Sequence, residues 1–205
     1  PLEDQSRLYA AFEKLESYQW IAFTSPTGVR IFFEELQKTK TDIRRLHGTH
    51  IAAIGKGTAK ALEERGCFPD FIPEVYDGET LGRELCERCI GGEHILIPRA
   101  AIGNQEILRG LEAKPDLIVE DIPTYDTFYE SQETIDEKQA FENGEIDCAV
   151  FTSASTVRGF VKATKGLDYT KVRAACIGKQ TKAEADAVGM ETYMAKKATI
   201  DSVLD

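Results

Sequence analysis

The chain has 205 residues, 42% of them hydrophobic and 9% aromatic, a composition that excludes disordered and fibrous classes. Its formal charge of −10 argues against general binding to nucleic acid or to an anionic membrane. Five cysteines, an odd number with two in apparent strands, point to a reducing compartment without disulfides; no apolar run approaches the roughly 20 residues that span a bilayer, so cytoplasm is the expected location.

Pro1–Asp4 reads as an extended lead-in, after which Leu8, Ala11, Phe12 and Leu15 mark one helix face. Trp20–Phe23 is a short apolar strand that stops at hydroxyls, and Val29, Phe32, Phe33 and Leu36 predict a helix packed back on it. Lys38–Gly48 is a charged connector containing a helical turn. Ile51–Ile54 is the next strand, feeding a helix from Ala59 to Arg65 that Gly66 stops. Pro69 and Pro73 bracket a short extended segment, and Thr80 is the expected N-cap of a helix over Thr80–Cys89. Cys86 and Cys89 form a C-x-x-C, but inside a helix with no second Cys pair or nearby His, so a zinc or redox site is not expected.

The strand Ile95–Ile97, a helix marked by Ile107, Leu108 and Leu111, and the strand Leu117–Val119 have βαβ spacing, which favours a parallel sheet. Glu120–Thr127 is polar and extended, and there the chain is expected to cross between domains. Beyond it come a weak helix near Thr134–Asn143, a strand ending at Phe151 with its helix, a strand ending at Ile177, a helix ending near Gly189, a short strand Thr192–Met194 and a short helix Ile200–Leu204.

Two stretches of this plan occur twice, in the same order. Phe23-Thr24-Ser25-Pro26-Thr27-Gly28-Val29-Arg30 returns as Phe151-Thr152-Ser153-Ala154-Ser155-Thr156-Val157-Arg158. Ile54-Gly55-Lys56-Gly57-Thr58 returns as Ile177-Gly178-Lys179-Gln180-Thr181, each copy followed by a Gly eight residues beyond its Thr, at Gly66 and Gly189. Strand, hydroxyl-bearing turn and helix, used twice per half, place four helix N-termini at the carboxyl ends of parallel strands, the edge where open α/β sheets bind ligands. Free N–H groups, hydroxyls and the positive end of a helix dipole suit an anion.

Ser25, Thr27, Ser153 and Ser155 fit two roles, holding such an anion or capping their own helices. Neither turn has the spacing of a Walker loop or a full G-x-G-x-x-G, which disfavours a nucleotide site. Lys56, Lys179, Arg30, Arg158 and Arg99 either meet ligand carboxylates or lie as solvated charges. His47, His50 and His94 lack metal spacing, and no acid lies at a strand end to make a catalytic dyad with one. Tyr125 lies at the expected crossing, where its phenol either donates a proton into a cleft or packs at a junction.

Together the segments Phe23–Val29, Ile54–Thr58, Thr124–Thr127, Phe151–Val157 and Ile177–Thr181 resemble the uroporphyrinogen-III synthase family, and the resemblance covers nearly the whole chain. It implies two flavodoxin-like parallel-sheet α/β domains joined by two crossing strands, with substrate bound between them. Residues 4–121 are then a complete inserted domain, 122–127 the crossing, and 128–205 a returning domain. The family normally has a strand-helix-strand unit before the point matching Pro1, so the returning domain is expected to lack that unit here. The chain is accordingly read as a piece of a longer one, of the kind fused in some bacteria to a uroporphyrinogen methyltransferase. A monomer is expected.

The implied reaction closes hydroxymethylbilane, a linear tetrapyrrole with eight carboxylates, to uroporphyrinogen III with loss of water and inversion of ring D, and needs no cofactor. For that chemistry Ser25, Thr58, Ser153, Thr181 and Ser155 are the candidates for holding substrate from the facing turns, and Tyr125 is the candidate for assisting departure of the hydroxyl. A cleft locally enriched in Lys56, Lys179, Arg99 or Arg158 would reconcile the acidic chain with a polyanion. A competing class is a non-catalytic two-domain binder of an anionic or tetrapyrrole ligand, which needs no Tyr at the crossing. A nucleotide-dependent enzyme is a third, disfavoured by the missing phosphate loops.

Overall fold

The computed structural model describes residues 1–103, 105–126 and 136–204, and the chain divides into two compact units, Pro1–Thr127 and Phe128–Asp205. Unit 1 runs α1 (Ser6–Glu13), β1 (Trp20–Phe23), α2 (Pro26–Lys38), β2 (His50–Ala53), α3 (Lys56–Glu63), α4 (Gly78–Arg88), β3 (His94–Ala100), α5 (Glu106–Leu111) and β4 (Ile118–Tyr125). Its sheet is wholly parallel in the order β2-β1-β3-β4. A parallel sheet takes helices on both faces and so reads as continuous apolar runs, and every residue of β1 is buried.

Alternate residues of β1 feed two cores. Ile21 and Phe23 pack with Leu8 and Phe12 of α1, Val29 and Phe32 of α2 and Leu62 of α3. Trp20 and Ala22 pack with Leu81 and Leu85 of α4 and with Ile107 and Leu111 of α5. The second pair of helices touches almost backbone to backbone, since a Cβ on Gly82 would lie 2.3 Å from Ile107 O and one on Gly110 2.5 Å from Arg83 N. Burial of each such large side chain is worth about 1.5–3 kcal/mol.

Unit 2 runs α6 (Glu137–Glu142), β5 (Cys148–Phe151), α7 (Ala154–Ala163), β6 (Arg173–Cys176), α8 (Lys179–Ala187), β7 (Glu191–Met194) and α9 (Ile200–Leu204), with the parallel order β5-β6-β7. One face of this sheet is covered: Phe151, Ala174 and Cys176 pack with Val157 of α7 and Ala185 of α8. On the other, Cys148 is exposed, and Val150 and Tyr193 are 47% and 53% exposed.

The repeat holds at the level of single hydrogen bonds. Trp20 faces His50 in unit 1, and Cys148, at the same place in the repeat, faces Arg173 in unit 2. Ile54 N donates to Phe23 O and Ile177 N to Phe151 O, each at 3.0 Å. Gly66 and Gly189 both have φ in the left-handed region, at 76° and 88°, and end α3 and α8 with equivalent bonds to Glu63 O and Asp186 O.

Three sequence expectations are corrected. The N-cap of α4 is Asp77, whose carboxylate accepts from Thr80 N at 2.7 Å, while Thr80 lies inside the helix and is buried. An ionised Asp both caps and complements the helix dipole. The helix expected from Ala59 begins at Lys56, because the Gly55 turn enters it directly. The strand expected over Leu117–Val119 continues through Tyr125, paired with β3 as far as Ala100. Residues 134 and 135 of the expected Thr134–Asn143 helix lie outside the described residues. Among those described, no helix is long and apolar enough to cross a membrane.

Candidate active site

At the carboxyl edge of the unit 1 sheet, β1 ends in the Ser25 turn and β2 in the Gly55 turn. Ser25 is extended and caps α2, its Oγ accepting from Gly28 N at 2.9 Å. The same Oγ is 2.7 Å from the phenol oxygen of Tyr125, 100 residues away in sequence, and either group can donate. Tyr125 reaches this position because the β3–β4 register shifts at Arg99/Ala100: Arg99 pairs with Pro123 and Ala100 with Tyr125, leaving Thr124 as the extra residue. Such bulges re-aim side chains beside active sites. Gly28 makes room, since a Cβ there would lie 3.2 Å from Pro98 O and from Ser25 Oγ and 3.9 Å from Tyr125 Cε1. Tyr125 is half-buried.

The heads of α2 and α3 are neighbours, with a Cβ on Gly57 falling 3.8 Å from the Pro26 ring. Over the Gly55 backbone lies the ring of Tyr76, 2.8–3.2 Å from where a Cβ would be. Sequence reading missed Tyr76, for which no local signal exists; Gly55 has a φ of −179°, which any residue can adopt, so close approach rather than backbone freedom requires the glycine. Thr58, in the first turn of α3, is 2% exposed, and its hydroxyl has no hydrogen bond to another described residue. Lys56 opens α3, exposed and without an ion pair among described residues.

In unit 2 the Ser153 turn caps α7 with a full capping box. Ser153 Oγ accepts from Thr156 N at 3.2 Å, and Thr156 Oγ1 accepts from Ser153 N at 3.2 Å. The position of Tyr125 against Ser25 is taken here by Ser155, whose Oγ is 2.8 Å from Ser153 Oγ. Thr181 repeats Thr58, 3% exposed with no hydroxyl hydrogen bond to a described residue, and Lys179 repeats Lys56. Gly178 differs from Gly55, since a Cβ there would meet no atom within 4 Å.

The expected cations divide. Arg99 is 6% exposed, and its Nε and Nη2 each donate to a carboxylate oxygen of Asp121 at 2.6 Å. This bidentate pair makes Arg99 a brace between β3 and β4, using two of the five guanidinium donors. Arg158 pairs with Glu184 at 2.7 Å and Arg30 with Glu34 at 2.9 Å, exposed pairs of small energy. Cys86 and Cys89 are buried; desolvation by burial, followed by the nearby Glu93 charge, pushes the Cys89 thiol up to about 12. Lys114 Nζ donates to the carbonyls of both, satisfying the end of α4. A surface hollow lined by Phe33, Leu36, Ile43 and Arg65 lies at the far end of α2 from Ser25.

Among known proteins, the model of the family described as uroporphyrinogen-III synthase HemD matches residues 1–205. The porphyrin biosynthesis protein HemD of Ruminiclostridium josui is 37% identical over the whole chain, which spans 40% of that protein's length. The uroporphyrinogen-III synthase of Chlorobaculum parvum is 28% identical over 86% of the chain and 73% of its own length. Among solved structures, uroporphyrinogen-III synthetase from Helicobacter pylori aligns with a TM-score of 0.66 at 21% identity, covering 100% of this chain and 84% of that one. A mutant uroporphyrinogen III synthase from Thermus thermophilus gives 0.67 at 18% identity, covering 98% and 79%. At these identities the structural matches establish the fold.

Proposed function

Because the chain belongs to the uroporphyrinogen-III synthase family, we propose that it closes hydroxymethylbilane to uroporphyrinogen III, with loss of water and inversion of ring D. Residues 4–121 are read as the inserted domain, 122–127 as the passage, and 128–205 as the returning domain. The observation that carries the reading is the doubled turn: the same hydroxyl-bearing strand-turn-helix, each capped by its serine, opens α2 and α7, with a phenol on one copy.

The chemistry asks for holding rather than for a strong acid or base. Once the terminal hydroxyl leaves, the azafulvene closes unaided to the uninverted isomer, so the protein must fix the chain with ring D presented at its substituted carbon, towards a spiro intermediate. Thr58 and Thr181, Ser153 and Ser155, and the N–H groups around them are the proposed carboxylate-holding groups. Each helix head adds about 0.3–1 kcal/mol towards a negative charge. Lys56 and Lys179, exposed and without ion pairs among the described residues, supply positive charge at the heads of α3 and α8. Tyr125 is the proposed donor to the departing hydroxyl.

The test is to supply fresh hydroxymethylbilane, stop and oxidise the mixture, and separate the type I and type III uroporphyrins. Type III in excess of the uncatalysed control is expected, and Tyr125→Phe should lower turnover without abolishing it. Tight binding of a tetrapyrrole with only type I formed would instead favour the non-catalytic binder.

A further inference from the structure

The two copies of the serine turn do different work. Among the described residues, Ser153 bonds within its own turn, to Thr156 and Ser155. Ser25 is bonded outward, to the phenol of Tyr125, while Gly28 N holds its Oγ from behind. A serine hydroxyl has one donor hydrogen and two acceptor positions. With Gly28 N–H filling one acceptor position, Ser25 can accept from the phenol in the resting site and rotate to donate to it.

We infer that Ser25 is a positioning residue for Tyr125, expected in sequence to hold substrate but placed by the fold to aim the phenol and to stabilise it once its proton is given up. This rests on the synthase reading above. In the step concerned the terminal C–O bond breaks and its electron pair leaves with oxygen. The Tyr125 proton completes a water molecule, and the pyrrole nitrogen lone pair satisfies the carbon as an azafulvenium cation. The phenolate then accepts one hydrogen bond from Ser25, whose own oxygen is polarised by Gly28 N–H at the head of α2. A proton released when the closed macrocycle regains aromaticity restores the phenol, so the net loss is one water.

Four variants test this: Ser25→Ala, Ser25→Thr, Tyr125→Phe and the Ser25→Ala/Tyr125→Phe double. Ser25→Ala should lower kcat for type III about tenfold, the worth of one hydrogen bond, with KM little changed. Ser25→Thr, which keeps the hydroxyl and the cap, should restore most of it. In the Tyr125→Phe background Ser25→Ala should cost less than twofold more, because the two act as one unit. Ser153→Ala loses the equivalent cap in the other unit and should raise KM instead.

A Ser25→Ala enzyme with kcat intact and KM raised, or full additivity in the double variant, would overturn the inference. If the chain makes no type III isomer, the synthase reading fails separately, and the same four variants in urea unfolding still measure the pair. Additive midpoint shifts there would remove the Ser25–Tyr125 bond itself.

Discussion

Phe32 and Phe160 occupy the same place in the repeat, three residues after Val29 of α2 and Val157 of α7, yet their surroundings differ. Phe32 is fully buried and meets Phe12, Phe23 and Phe33 edge-on. Phe160 is half-buried among Phe141, Phe151 and Tyr169. The same contrast runs through the turns, with Ser25 tied to Tyr125 and Ser153 to its own neighbours, and with Gly55 covered by Tyr76 and Gly178 open. A doubled sequence thus specifies a doubled backbone, while the side-chain environments of the two copies diverge with what each unit builds around them.

The largest expected effect is in the cores. Phe32→Ala should destabilise unit 1 by about 3–5 kcal/mol, as truncation of a buried Phe does, and Phe160→Ala should cost unit 2 less. Two units need not unfold together, so hydrogen exchange read separately over β1 and β5 is the suitable measurement. Equal losses would erase the contrast. Next come the glycines. Gly55→Ala drives a Cβ into the Tyr76 ring and should cost about 1–3 kcal/mol in urea unfolding, as overpacking does. Gly178→Ala meets open space and should cost under about 1 kcal/mol, the difference in N-cap preference. A Tyr76→Ala change that rescues Gly55→Ala would show that the ring is the reason.

A smaller difference separates Gly28 and Thr156, again equivalent positions. Thr156→Ala removes the reciprocal half of a capping box, for about 0.5–1 kcal/mol on melting. Gly28→Ala crowds Pro98 O and Ser25 Oγ and should cost at least as much, with added loss of turnover through Tyr125. Smallest of all is a chemical contrast with almost no stability cost. Exposed Cys148 should be alkylated readily at pH 8, whereas Cys89, pushed up to about 12 by burial, has negligible thiolate there and should react only on unfolding. Labelling followed by peptide mass mapping would decide it, and rapid native modification of Cys89 would contradict its packing.

Much of the candidate site was legible from the chain. Val29, Phe32, Phe33 and Leu36 announced α2 by spacing alone, and Ser25 and Ser153 announced the caps by residue type, because both signals are local. The Arg99–Asp121 pair was not legible for the converse reason: Asp121 is on another strand, and nothing near Arg99 in sequence announces it. Thr80 was misread as a cap because Asp77, three residues earlier, starts the helix sooner and takes the N–H of Thr80 itself.

What the sequence by itself determined is the period and the punctuation: which runs are strand or helix, where helices start and stop, and that the plan is used twice. These follow from short-range sterics and backbone hydrogen bonding, which a few neighbouring residues decide. Only the tertiary structure decided that Tyr125 meets Ser25 and that Tyr76 lies on Gly55. The first contact depends on a one-residue shift between β3 and β4, and both depend on the close packing of segments far apart in the chain, where a displacement of an ångström makes or breaks a hydrogen bond.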